Sequence, residues 1–197
     1  MTLARSSRHS LCDVTPATRE KRASRTTLAV AVMLATFVIS CGTVTRVHAP
    51  APLTGGARWV ILPIANLAET PQAGERIEAL LDTVLRRRGV TALDRYPVIK
   101  DDDVHMLMSD RARYDVSLAW ARGQHYEYAV TGTVEEWRYK AGNESEPAIG
   151  LTVTVVNVND NRTVWSGSGA KVGSSFDDAS GVALELLTTL VDSMTLK

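Results

Sequence analysis

Little in this chain is equipped for covalent or metal chemistry. It has two cysteines, Cys12 and Cys41, so it lacks the disulfide framework on which small secreted domains depend. Four histidines occur, at His9, His48, His105 and His125; none is paired at the fixed intervals that zinc sites need. Phosphate-cradling glycine loops are missing. Ser166-Gly167-Ser168-Gly169 lacks the Gly-x-Ser-x-Gly elbow of a serine hydrolase and falls inside an expected strand rather than at a strand-to-helix turn. Carboxylates are plentiful, but their neighbours mark no pair for glycoside hydrolysis. There is no internal repeat. Neither is there an apolar run of the roughly 20 residues that a bilayer core requires.

What is present begins with a basic leader, Arg19, Lys21, Arg22 and Arg25, and an apolar run from Thr27 to Ile39 that closes in Val38-Ile39-Ser40-Cys41. A charged n-region, a short apolar core and a small-residue cleavage site make a removed export signal. Cleavage is expected between Ser40 and Cys41, leaving the Cys41 thiol to carry a diacylglyceryl group and the freed amine a third acyl chain. Residues 1–40 are thus read as a lipoprotein signal peptide, residues 41–57 as a flexible tether and residues 58–197 as the folded domain. Gly42, not an aspartate, follows the cysteine, which resembles the Gram-negative lipoproteins that are sent on to the outer membrane. The 22 basic and 22 acidic residues of the chain become 16 and 20 once the leader is gone. A mildly acidic exported body has no electrostatic case for nucleic acid and suits a cationic partner.

The body reads as one α/β domain. Arg58 to Ile64 is a nearly continuous apolar run that suits a covered strand. Pro71 fits a first helical turn, and Ile77, Leu80, Leu81, Val84 and Leu85 recur at three and four before Gly89 ends the helix. Arg86, Arg87 and Arg88 there favour the negative end of the helix dipole, either as a solvated cap or as a partner-binding patch. A second strand is expected over Val90 to Leu93 and a helix from Asp115 to Arg122. Tyr126 to Tyr139 alternates with Val130 and Val134 on one side and Trp137 on the other; Leu151 to Val158 and Thr163 to Val172 complete an antiparallel meander. Ser175 with Asp178 resembles a capping box ahead of a closing helix through Val182, Leu186, Leu187 and Leu190. The order strand, helix, strand, helix, three strands, helix predicts a mixed central sheet of about five strands flanked by helices.

Two features invite a functional reading. Asp101, Asp102 and Asp103 lack the spacing and glycine of a calcium loop; they are read first as a helix start and second as a charged functional surface, with no metal. Trp137, among Glu135, Glu136, Arg138, Tyr139 and Lys140, has the amphipathic setting of a membrane-interface residue. The alternative is a tryptophan covering the sheet under a helix. Trp59 and Trp165 are expected in the core, and the face of Trp120 stays open.

Trp59-Val-Ile-Leu-Pro-Ile-Ala-Asn66, Thr70-Pro-Gln-Ala-Gly-Glu-Arg76 and Leu85-Arg-Arg-Arg-Gly-Val90 resemble the opening of envelope lipoproteins related to curli-secretion CsgG and the N-terminal domain of TolB. Gly132-Thr-Val-Glu-Glu-Trp-Arg-Tyr-Lys140, Glu146-Pro-Ala-Ile-Gly150 and Val164-Trp-Ser-Gly-Ser-Gly169 narrow the resemblance to the PelC family of exopolysaccharide-secretion lipoproteins. The resemblance implies a non-enzymatic, cofactor-free homo-oligomer, a dodecameric ring on the periplasmic face of the outer membrane that serves the Pel secretion channel. An acidic lumen would guide the cationic polysaccharide. It further implies Cys41 as the lipid attachment and Trp137 as the membrane contact, with Asp101, Asp102, Asp103 and Asp110 as the acidic guiding surface. A monomeric envelope scaffold and a periplasmic glycan hydrolase are the competing expectations.

Overall fold

Chain order in the computed structural model, which describes residues 44–97, 108–139 and 146–197, runs β1 (Val44–His48), β2 (Arg58–Ile61), β3 (Ala65–Asn66), α1 (Ala73–Arg88), β4 (Ala92–Arg95), α2 (Asp110–Gly123), β5 (Tyr128–Tyr139), β6 (Pro147–Asn157), β7 (Thr163–Val172) and α3 (Ala179–Asp192). The mixed α/β sheet expected from sequence is present. It has seven strands in the order β1-β7-β6-β5-β2-β4, with β3 paired to β5 beside that path. β2 runs parallel to both β4 and β5, and each neighbouring pair along β5, β6, β7 and β1 is antiparallel.

The two extra strands have simple causes. Pro63 has no amide proton to extend a ladder, so the apolar run that opens the domain splits into β2 and the two-residue β3. The segment read as a flexible tether supplies the other: Val44 to His48 pairs with Ala170 to Ser166 along the free edge of β7. This corrects the tether. Exposed alternating Thr, Arg, Val and His suits an edge strand, and only residues 49–52, with Pro50 and Pro52, separate it from buried Leu53.

Because β4 and β5 lie on opposite sides of β2, same-handed crossovers through α1 and α2 must place those helices on opposite faces. The core is divided accordingly. Under α1 and α3 lie Trp59, Ile61, Val130, Val134, Val153, Val155 and Trp165; under α2 lie Val60, Leu62, Ala129 and Val156.

Element boundaries differ modestly from those read in the sequence. α1 starts at Ala73 and leaves Pro71 outside, and β4 begins two residues later than expected. α2 starts at Asp110 because Ser109 caps it, its hydroxyl accepting from the Ala112 amide at 3.3 Å. Asp178, not Ser175, caps α3 and accepts from the Gly181 amide at 2.8 Å. Gly89 ends α1 as expected; its φ of 110° is a conformation that side chains resist. The three arginines beside it are neither free caps nor a free patch. Arg86 pairs with Asp82 and donates to the Leu93 carbonyl at 2.6 Å, Arg87 donates to the Thr188 hydroxyl at 3.1 Å and Arg88 to the Met194 carbonyl at 2.9 Å. They join the end of α1 to β4, α3 and the chain terminus.

That terminus is itself tied down. Leu53 donates to Thr195 at 2.8 Å, Lys197 to Leu53 at 2.9 Å and Gly55 to Lys197 at 3.1 Å, so the last residues lie alongside the first buried ones.

Candidate functional site

The register of β5 contains the feature that sequence alternation hides. Val134 faces Leu151 and Glu136 faces Gly150, which leaves Glu135 as the extra residue of a β-bulge. A bulge returns the next residue to the face that simple alternation would deny it. Trp137 therefore sits on the same side as Val134, in the core beneath α1, with 3% of its surface exposed. The Arg76 guanidinium lies 5.8 Å from its ring centroid, and the Thr70 hydroxyl donates to its carbonyl at 2.6 Å. The assignment of Trp137 as a membrane contact is thus corrected: the ring covers the sheet under a helix and presents no face to a bilayer.

The bulge also gathers carboxylates that the sequence reading did not single out. Glu69, Glu135 and Glu136 line a shallow cavity of about 480 Å³ with Leu67, Trp137 and Arg138. Glu136 accepts from Arg138 at 2.7 Å, and Glu135 accepts from the Thr133 hydroxyl. The sequence signal was the Glu135-Glu136 doublet interrupting a strand; alternating strands do not place two adjacent carboxylates on one surface, whereas bulged strands do.

Of the four aspartates chosen from sequence, Asp101, Asp102 and Asp103 lie outside the described residues. Asp110 opens α2, where a carboxylate complements the helix dipole. It forms an ion pair with Arg113 at a cleft of about 240 Å³ shared with Pro63, Arg111, Tyr114 and Thr131. Arg113 offsets its charge, so Asp110 alone does not make an acidic surface. Among the described residues no group of three or more His, Cys, Asp or Glu side chains is arranged to hold a metal ion. Cys41 also lies outside the described residues.

Among the described residues the most exposed large aromatic side chain is a different one. Phe176, in the loop between β7 and α3, is 97% exposed. The loop is braced: Gly173 donates to the Pro147 carbonyl at 2.8 Å, and the Ser174 amide and hydroxyl donate to one Asp177 oxygen at 2.7 and 2.8 Å. Those two bonds hold the Asp177 carboxyl below its ordinary range. Gly173 is required there, because a Cβ would lie 2.6 Å from Val182 and 2.9 Å from Pro147. Beside the loop, Tyr139 is 52% exposed and its hydroxyl accepts from the Ala179 amide at 3.3 Å. An apolar residue inside the polar run Ser174-Ser175-Phe176-Asp177-Asp178 was the available signal.

Strand register places these groups at one end of the molecule. Tyr139 pairs with Pro147, Ala148 with Val172, and Val44 with Ala170. The first residue of β1, three positions after Cys41, therefore shares an end of the sheet with Tyr139 and the Phe176 loop. No helix among the described residues is long and apolar enough to cross a membrane.

At the other end of the sheet, aromatic packing is internal. Trp120, whose face the sequence left open, lies edge-on to Tyr96 at 5.2 Å and 5.6 Å from Tyr126. The Tyr126 hydroxyl donates to Asp94 at 2.8 Å, and burial together with that carboxylate raises its pKa. Arg58 sits 4.5 Å from the centre of the Tyr126 ring.

A mixed sheet with two helices on one face and one on the other defines the class as a small α/β domain, and the lipoprotein GNA1162 of Neisseria meningitidis has a similar fold (17% identity over 69% of this chain and 96% of that one, TM-score 0.50). The particular resemblance is to PelC. Two solved structures of the PelC dodecamer from Paraburkholderia phytofirmans, one of them a single-residue variant, are each 29% identical to this chain. Each covers 79% of it, and the matches span 99% and 100% of the PelC chains with TM-scores of 0.67 and 0.68. The chain matches no protein-family model, and no curated protein matches it.

Proposed function

We propose that this chain is an acylated envelope protein that assembles into a PelC-like ring and conducts a cationic exopolysaccharide to its outer-membrane secretion channel without a chemical step. The observation that carries the reading is the 29% identity to the PelC dodecamer across nearly the whole of that chain. In this reading Cys41 carries the lipid and fixes the protein to the periplasmic face of the outer membrane. Phe176 takes the membrane-contact role that buried Trp137 cannot fill. Its ring and that of Tyr139 stand at the end of the sheet where the chain leaves Cys41, and aromatic rings settle at the headgroup level of a bilayer. The acidic surface combines Asp101, Asp102 and Asp103 with Asp110 and with Glu69, Glu135 and Glu136 at the bulge. Carboxylates repeated around a lumen attract a polycation by field focusing alone.

The test is made on full-length protein expressed in a Gram-negative host. Palmitate labelling that disappears in Cys41→Ser, a native mass of about twelve subunits by light scattering, and binding of an amino-sugar polymer that weakens with salt are the expected results. A monomer at all concentrations supports the scaffold reading instead, and cleavage of the polymer supports a hydrolase.

A further inference from the structure

The first strand is attached to the body in a different way from every other element. Its side chains from Thr45 to His48 are all exposed, and it is held through the backbone of Ser166 to Ala170. The first residue anchored by burial is Leu53, 2% exposed, and exposed residues 49–52, with prolines at 50 and 52, lie between. A backbone hydrogen bond at a wet edge contributes about 1 kcal/mol net, the same size as the entropy lost in ordering one residue. With little apolar burial to add, Val47 being still 43% exposed, docking of such a strand is closely balanced. Every other strand of four or more residues has buried side chains.

We propose that β1 is a releasable strap that sets the distance between the lipid and the body. The proposal rests on acylation at Cys41. With β1 docked, three residue steps separate Cys41 from the sheet, a reach of about 10 Å at most. In that state the Phe176 end is held against the membrane. With β1 released, twelve steps run to Leu53, a reach of about 40 Å, and the body stands off from the bilayer while still anchored. Pro50 and Pro52 favour this by keeping the connecting segment extended in either state.

Hydrogen exchange on the full-length acylated protein in phosphatidylethanolamine and phosphatidylglycerol vesicles tests the strap. Those amides of Thr45 to His48 that donate across to β7, alternate ones in an antiparallel edge strand, are expected to exchange at least about a hundredfold faster than those of the β6–β7 ladder. The paired positions Arg46 and Ser168 allow a lock: in Arg46→Cys/Ser168→Cys, oxidation should slow the strand to the level of the ladder. It should also raise energy transfer between a headgroup dye and a label on the body. Equal exchange of β1 and the ladder in the unlocked protein, or unchanged energy transfer on locking, overturns the proposal. In Cys41→Ser the exchange contrast should persist while vesicle attachment is lost, so failure of acylation is read separately from failure of the strap.

Discussion

On the face of the sheet that carries α1 and α3, Trp59, Ile61, Leu151, Val153, Val155 and Trp165 are all buried, and the two helices fill the length of β5, β6 and β7 with Leu81, Leu85, Leu186, Leu187 and Leu190. On the opposite face α2 covers Val60, Leu62, Ala129 and Val156 and then stops. Beyond it the strands present hydroxyls in cross-strand rows: Thr133, Thr152 and Ser168 in one, Thr131, Thr154 and Ser166 in the next. The Thr152 hydroxyl donates to Ser168 at 3.1 Å, and Thr154 and Ser166 stand 3.4 Å apart. The difference separates two jobs. Burial on the first face is where the fold draws its stability, and the second tolerates polar side chains because its strands are already held from behind.

Mutations on the two faces test this division. Leu187→Ala, at a fully buried position between α3 and the sheet, should cost about 3–5 kcal/mol in urea unfolding. Leu118→Ala, on the inner side of α2 and 5% exposed, should cost about 2 kcal/mol. An equal or reversed order would break the comparison.

Glu78 sharpens it, because it is a carboxylate on the sealed side. It is 8% exposed, accepts from the Ile64 amide at 3.1 Å and pairs with Arg95 at 2.9 Å. Burial raises its pKa above the ordinary carboxylate value, outweighing the Ile64 and Arg95 hydrogen bonds that lower it. A folded-state pKa above the unfolded one means that the folded protein holds the proton more tightly. The contribution is fully present below the unfolded pKa and is lost as pH rises through the folded one. Glu78→Gln, which keeps an acceptor for Ile64, should flatten the decline in stability across that window when unfolding is followed from acid to neutral pH. An unchanged slope would show that the decline originates elsewhere.

Smaller effects belong to the open side and the loops. Thr152→Ala should cost about 0.5 kcal/mol, the worth of one cross-strand pair. Phe176→Ser should leave unfolding within about 0.5 kcal/mol of the parent while weakening vesicle association of unacylated protein. A large stability loss at Phe176 would mean that the ring packs in solution and does not serve as a membrane contact.

Most of the fold was legible because its signals are local. Apolar repeats at three and four marked α1 and α3, Gly89 marked a stop, and alternation marked β5 to β7. The order of elements then sufficed to predict a mixed sheet. What escaped depended on pairing. β1 has only Val44 and Val47 as apolar residues, three apart and without a strand's alternation, and exists because β7 offers an edge. The bulge at Glu135 shifts every later residue of β5 by one face, so alternation sent Trp137 to the wrong side and concealed the carboxylates around it. Phe176 was hidden differently, since a lone aromatic in a polar turn carries no periodicity; only the bracing of its loop by Gly173 and Asp177 gives it a direction.

The hydrogen bonds joining Leu53 and Gly55 to Thr195 and Lys197 also act as a clasp. They close a loop of about 140 residues, and because the entropy of closing a long loop grows only slowly with its length, a few backbone bonds suffice to hold two segments so distant in sequence side by side. The clasp shares that cost over the whole body instead of adding it to any single helix or strand.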